Sequence, residues 1–442
     1  MAELGLKEAV AMALGGMIGG GIFSAFGIIV AVSGVLAWAA FLLGSILGFS
    51  AAYSYIHLNK FTDKQGGAPT YIHEMIGNRT LAGMTGWTLL FGYIGSIALY
   101  AYAFASFGSF MLGRLHFLQI PISNILSVFL IGAFVGLNLI GVSETGKAED
   151  ILVVFKVGVI AVFGIWGVYY AYTQELLTFG WKALALNPIV GSTKPFLGAA
   201  FSIVTFQGWQ LLMYDQDKFD NPEETIRKAT YIAIPATTLL YGLVSLVTVG
   251  LLELPEIAVA PEVSLLYAAL PYMGWIGAVA IAISALVSTA SAVNATLFSS
   301  ALFSRTLIDM DLLPSWLESS SDDGDGDSIP SGIVIILGLL SASFAVYGSL
   351  RSISSFSSLA FIVVFGAMSY LAYTNRDELD LIAPIPLLGI IAAVVYAPLL
   401  LYDLYLSDPI TLGMVFLIAI VIIGSELLYF EGEPIAEKIR NS

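Results

Sequence analysis

Apolar runs of about 20 residues follow one another from residue 8 to residue 429, each long enough to cross a hydrocarbon layer about 30 Å thick. Peptide groups inside such a layer find no water to bond, so spans of this length must be helices that satisfy their own backbones. The chain is therefore expected to be an all-α integral membrane protein. Composition agrees: 58% of the 442 residues are apolar, 11% are charged and the mean hydropathy is +0.89, which excludes an ordinary soluble or disordered chain. Twelve transmembrane helices are predicted, at about residues 8–32, 34–58, 80–112, 122–141, 147–172, 194–214, 229–252, 271–305, 331–348, 353–373, 383–402 and 408–429. Long interruptions are predicted from Asn59 to Arg79, around Gly66-Gly67-Ala68-Pro69, and from Asp215 to Lys228. Met1 to Lys7 is too short, and the run after it lacks the small-residue cleavage pattern, for a cleaved signal peptide.

Lysine and arginine set the expected orientation. With the amino terminus in the cytoplasm, only Arg114, Lys182, Lys194 and Arg351 fall in outer loops and Lys156 lies within a span; the rest of the 17 basic residues face inward. Both termini are thus expected to be cytoplasmic, in a cytoplasmic membrane. The net charge of -15 reflects acidic residues that this rule ignores. Among them, Asp322-Asp323-Gly324-Asp325-Gly326-Asp327 reads as a solvated loop, because a calcium loop of the EF-hand type would need its spacing and closing glutamate.

Two spans are irregular. The first carries Gly15-Gly16-Met17-Ile18-Gly19-Gly20-Gly21-Ile22-Phe23, five glycines in nine residues. Each glycine costs a helix about 1 kcal/mol relative to alanine. Either the helix breaks here, baring amide groups that suit a carboxylate, or the glycines let a second helix pack closely. In the sixth span, Gln207 and Gln210 flank Gly208 inside apolar surroundings where an unsatisfied amide is costly. Five helices separate the two irregular ones, the pattern of an inverted five-plus-five repeat whose paired broken helices meet at mid-membrane. A single polar contact between helices would account for the amides alone.

Lys156 stands about 12 Å along its helix from Ala148, at about 1.5 Å per residue. Placing it there costs about 2.5–3.5 kcal/mol, so a function is the default expectation. A buried amine can carry a proton; a snorkelling or structurally paired lysine is the alternative. Absence of cysteine excludes disulfides and thiolate chemistry. The three scattered histidines, His57, His73 and His116, offer no metal centre, and no nucleophile–base arrangement or phosphate loop appears. No enzyme, resident cofactor, metal or nucleic-acid partner is expected.

From about Leu6 to Tyr373 the chain resembles the amino acid-polyamine-organocation (APC) superfamily of amino acid transporters. The residues that carry the resemblance are Gly16-Met17-Ile18-Gly19-Gly20-Gly21-Ile22-Phe23 and Gly66-Gly67-Ala68-Pro69-Thr70-Tyr71. They continue with Phe206-Gln207-Gly208-Trp209 running into Asp217-Lys218-Phe219-Asp220-Asn221-Pro222. The last are Ser291-Ala292-Val293-Asn294-Ala295, Ser304-Arg305-Thr306-Leu307 and Leu313-Pro314. The resemblance implies a LeuT-like fold with discontinuous helices 1 and 6. Its repeats would span residues 1–172 and 194–373, joined by an outer connection at 173–193 and followed by helices 11 and 12 at 383–430 and a tail at 431–442. It further implies that the amides of Gly19, Gly20 and Gly21 receive a substrate carboxylate, and that carbonyls of Ile18, Val204 and Gln207 receive its ammonium. Lys156 would replace a bound sodium ion, near Ser288 and Ser291.

There are departures. Val204 stands where a bulky aromatic gate is common, leaving that task to Phe206 or Phe201, or leaving a wider pocket. Gln210 stands where some members carry an acid, which puts proton coupling on Lys156. Gln207 would bond a polar substrate side chain or a neighbouring helix. Asn138 and Asn294 are expected to bond between helices, and Arg305 and the Asp217–Asn221 segment to brace an inner gate. Helices 11 and 12, with Glu426 near their inner end, suggest a packing or dimer role. The expected function is import of an amino acid, small and neutral by preference, with a proton. The expected partners are that amino acid, the proton and the bilayer, for a monomer or homodimer. An exchanger or sodium-coupled relative is the first alternative, and a receptor that binds without transport the second.

Overall fold

The structure, a computed structural model, describes residues 4–62, 66–112, 116–117, 120–140, 146–180, 188–214, 216–317 and 330–427. The acidic 322–327 run, Arg114, Lys182 and the 431–442 tail lie outside the described residues. The described chain is almost wholly helical. In order it forms α1 (Leu6–Gly20), α2 (Phe26–Ser33), α3 (Ala37–Thr62), α4 (Ala68–Ile76), α5 (Arg79–Leu112), α6 (Ile122–Leu139), α7 (Gly146–Thr173) and α8 (Pro188–Ser202). It continues with α9 (Leu211–Tyr214), α10 (Pro222–Leu251), α11 (Leu254–Val259), α12 (Ser264–Asp309), α13 (Ser331–Tyr347), α14 (Leu350–Thr374), α15 (Arg376–Leu379), α16 (Pro384–Ser407) and α17 (Pro409–Ser425). A two-residue ladder pairs His116–Phe117 with Ile120–Pro121. Among the described residues nine helical runs are long and apolar enough to cross a membrane, and α13 and α17 are shorter apolar helices.

Apart from the breaks in the first and sixth, the predicted apolar runs are helical over their described residues, and their ends differ where polar residues start or stop a helix. α10 begins at Pro222 rather than residue 229, because Pro222 fits a first turn and Glu223 and Glu224 suit the positive end of the helix. The Asn59–Arg79 interruption holds α4, which starts with Pro69 in its first turn and stops at Gly77 in the left-handed conformation. α12 starts at Ser264, and a kink at Gly274 (φ 63°, ψ -164°) marks where two helices join.

Burial sorts the helices into a centre and a rim. The apolar stretch within Thr193–Tyr214 is 89% buried and that of α5 78%, whereas that of α6 is 22% and that of α16 28%. The rim helices turn side chains such as Phe129, Ile165, Val394 and Ile420 outward, an apolar surface that suits contact with lipid. In the centre, α5 packs against α12, α14 and α6, and α3 packs against α10 and α8. Small residues set the closest approaches, as expected where lipid removes the hydrophobic incentive to pack. A Cβ on Gly27 would overlap the Pro261 backbone, and one on Gly44 or Gly95 would overlap the hydroxyl of Ser202 or Ser357.

Polar contacts stitch the helices. Asn138 Nδ2 donates to Asn294 Oδ1 at 3.0 Å, the interhelical bond expected from sequence. At one end of the bundle Trp38 Nε1 donates to the Phe179 carbonyl at 3.2 Å. At the other, the Leu4 amide donates to the Lys218 carbonyl (2.8 Å) and the Asp220 amide to the Leu4 carbonyl (3.0 Å), so the amino terminus is bound to the segment after α9. Lys218 Nζ lies 5.5 Å from the centre of the Phe298 ring on α12, the helix that carries Arg305. Glu426, just past the end of α17, is fully buried with its carboxylate against Gly83 of α5.

Candidate substrate site

The first predicted span is two helices joined by a turn at 21–25, and the sixth is interrupted between α8 and α9. In the sixth, a 3-10 turn at Ile203–Phe206 gives way to extended Gln207 and then to Gly208 at φ 124°, a value that only glycine adopts readily. The interruption of the sixth span touches α1 backbone to backbone. A Cβ on Gly208 would lie 2.8 Å from the Gly16 carbonyl carbon, and one on Gly16 would lie 3.0 Å from Gly208 Cα.

The break in the first span begins at the last of the five glycines rather than in their midst. α1 runs through Gly20, and the Gly21 amide donates to the Met17 carbonyl at 2.8 Å, one more helical bond. The Ser24 hydroxyl then caps the Gly20 carbonyl and the Ala25 amide bonds the Gly21 carbonyl at 3.1 Å. The five glycines instead admit neighbours. Gly15 and Gly19 face Lys156, Gly16 faces Gly208, Gly20 faces Tyr100 and Gly21 faces Tyr241. Close packing and interruption are therefore both present in this one stretch.

Lys156 is 1% exposed, and its Nζ donates to the Gly15 carbonyl at 3.1 Å. The same Nζ lies 3.0 Å from where a Gly19 Cβ would stand, and the Ser288 carbonyl lies 3.1 Å from that point. α1, α7 and α12 thus converge on Lys156, Gly19 and Ser288. Ser291, one turn farther along α12, is also buried. Of the other predicted residues, Ile18, Gly20, Gly21, Val204, Phe206 and Gln207 are all buried at or beside the two breaks. The Val204 amide donates to Ser358 Oγ (3.2 Å), which donates in turn to the Phe201 carbonyl (2.8 Å), so α14 supports the broken stretch.

The two aromatic candidates for the missing gate part company. Phe206 packs beside Gly48 and 5.6 Å from the Tyr241 ring, whereas Phe201 lies 5.6 Å from the Arg351 guanidinium. The Gln207 amide faces a neighbouring helix: its Nε2 donates to the Tyr100 hydroxyl, and its Oε1 accepts from Gln210 Nε2 at 3.2 Å. Gln210 Oε1 takes the Gly208 amide at 2.8 Å.

Sequence reasoning missed two tyrosines. Tyr100 lies against Gly20, and the Tyr241 hydroxyl donates to the Met17 carbonyl at 2.7 Å with the Thr205 carbonyl 3.2 Å away. Tyr241 thereby ties the last turn of α1 to the interruption of the sixth span. The available signal was a phenol in the middle of an apolar run, where its hydroxyl must find a partner.

A family model described as amino acid permease matches residues 4–425. The chain belongs to the amino acid permease family, within the APC superfamily. It is a multi-pass membrane transporter and no enzyme. The permease is 26% identical over 411 residues to the Escherichia coli inner membrane transport protein YbaT, covering 91% of this chain and 90% of that one. It is also 26% identical over 323 residues to the Bacillus subtilis serine/threonine exchanger SteT, with 71% and 69% covered. Its fold resembles that of the crystallised Eremococcus coleocola manganese transporter, with a TM-score of 0.60 at 13% identity, covering 96% of this chain and 92% of that one. That likeness is one of fold alone.

Proposed function

We propose that this permease imports an amino acid together with a proton across the cytoplasmic membrane, by alternating access around the two interruptions. Twelve spans with both termini cytoplasmic would form two inverted repeats, 1–172 and 194–373, that rock against each other. The substrate would lie between the breaks. Its carboxylate would be held by amides of Gly19, Gly20 and Gly21, and its ammonium by carbonyls of Ile18, Val204 and Gln207, with Phe206 closing over it. Because the Gly21 amide is bonded to Met17, binding there has to open the last turn of α1.

The observation that carries this reading is Lys156: a fully buried amine bonded to the carbonyl of Gly15, in the helical part of α1 that leads to the break. As a cation it binds α7 to α1; on losing the proton it loses the charge-assisted part of that bond, which releases α1 to move. Ser288 and Ser291 would orient the amine from α12. A sodium ion beside the charged amine would meet a repulsion of about 4 kcal/mol at 4 Å and an effective dielectric constant of 20. Purified permease in liposomes tests the proposal. Labelled amino acid should accumulate under an inward proton gradient without sodium, and uptake that follows sodium and ignores pH would refute it. Exchange on the same fold is the second reading, favoured by the similarity to a serine/threonine exchanger; uptake that requires amino acid inside the vesicle would support it.

A further inference from the structure

Tyr100 spans the gap between the two interruptions. It is 1% exposed, and its ring lies so close to Gly20 that a Cβ there would overlap Cζ, Cε1 and the hydroxyl. Its hydroxyl holds the Gln207 amide. One phenol therefore covers the glycine end of α1 with its ring and satisfies the broken stretch after α8 with its oxygen. From there Gln207, Gln210 and the Gly208 amide continue as an unbroken series of hydrogen bonds. Gln207, Gln210 and Gly208 are all buried, so each bond in the series meets a group that would otherwise be left unsatisfied at a cost.

The geometry points to Tyr100 as a specificity-determining residue: a built-in place-holder that fills the substrate's position in the closed protein and must leave Gly20 for an amino acid to enter. This rests on the proposed site between the breaks and adds what sets its size. The pocket that opens is bounded by how far the phenol can withdraw along α5, so the ring fixes the largest substrate side chain accepted. The departing hydroxyl also frees the Gln207 amide, whose Nε2 can then donate to an oxygen on the substrate side chain. Small substrates, and among them those with a hydroxyl, follow from this geometry. The place-holder also keeps the site dry and satisfied when no substrate is bound.

The experiment measures uptake of glycine, alanine, serine, valine, leucine and phenylalanine by wild-type permease, Tyr100→Phe and Tyr100→Ala in liposomes. Tyr100→Phe keeps the ring but loses its hold on Gln207, so the size ranking should persist while half-saturation falls about tenfold, the equivalent of one hydrogen bond. Tyr100→Ala should raise the ratio of leucine to alanine uptake at least tenfold, since even one methylene changes selectivity by about 10–200-fold. Tyr100→Val takes its place if the alanine variant does not yield a monodisperse protein. An unchanged ranking in the alanine or valine variant overturns the inference. So does a raised half-saturation in Tyr100→Phe, which would make the hydroxyl a substrate ligand rather than a stand-in. Wild-type protein that transports none of the six overturns the parent reading as well, whereas wild-type transport with unaltered variants overturns only this one.

Discussion

Gly16 and Gly208 test whether α1 meets the interruption of the sixth span as the geometry has it. Gly16→Ala leaves an ordinary helical position, where alanine alone would stabilise the helix by about 1 kcal/mol. Against this, its Cβ would stand 3.0 Å from Gly208 Cα, a backbone atom that cannot turn aside. Forcing extra carbon into such a contact costs about 1–3 kcal/mol. Gly208→Ala faces the reciprocal contact at 2.8 Å and holds φ at 124°, which adds about 1–3 kcal/mol of backbone strain. The net penalty is about 0–2 kcal/mol for Gly16→Ala and about 2–6 kcal/mol for Gly208→Ala. Gly132→Ala is the control, because nothing lies within 4 Å of its Cβ position. Thermal unfolding in detergent and uptake in liposomes should rank Gly132→Ala nearest wild type, Gly16→Ala lower and Gly208→Ala lowest, with uptake lost first. Should Gly208→Ala melt and transport like Gly132→Ala, the interruption of the sixth span does not touch α1 and the site is misplaced.

Two further outcomes concern the frame around the site. Replacing Asn138 and Asn294 by leucine, singly and together, should give a double-mutant coupling of about 0.6–1.7 kcal/mol in unfolding free energy, the range for hydrogen bonds between membrane helices; additive effects would remove that bond from the account. Asp408, in the one-residue link between α16 and α17, caps the Thr411 amide at 3.1 Å. Burial works to raise its pKa, but bonds from the hydroxyls of Ser352 and Thr411 and from the Thr411 and Ile410 amides outweigh this and hold it below its ordinary value. A depressed carboxyl stabilises the fold above the ordinary carboxylate range and loses that contribution as pH falls through the folded value. Asp408→Ala should therefore cost about 0.5–2 kcal/mol near neutral pH and progressively less in acid, whereas Asp408→Asn should keep the cap and lose the pH dependence; a pH-independent deficit in Asp408→Ala contradicts the assignment.

Much of this was legible because hydrocarbon allows few alternatives. Span positions followed from apolar run length, and the two irregular stretches from glycines and amides that an uninterrupted apolar helix has no use for. The depth of Lys156 placed it near the centre, and in the structure its Nζ meets the Gly15 carbonyl. What escaped the sequence is three-dimensional. That five glycines admit Lys156, Gly208, Tyr100 and Tyr241 depends on crossing geometry, which no spacing within α1 encodes. Tyr100 and Tyr241 are two of many tyrosines, and only the fold shows that these hydroxyls reach the breaks. α4 and the first two turns of α10 were hidden because their signals are polar caps, which a hydropathy reading passes over.

The most direct test of the central claim follows protons and substrate together. Liposomes loaded with a pH-sensitive dye and given labelled amino acid report both fluxes for wild-type permease and for Lys156→Ala, which removes the bond to Gly15, worth about 1.5–3 kcal/mol when charged. Wild-type uptake should carry protons inward with the amino acid, and the variant should neither accumulate substrate against a gradient nor move protons. Undiminished, proton-linked accumulation by Lys156→Ala would show that the buried amine is not the carrier.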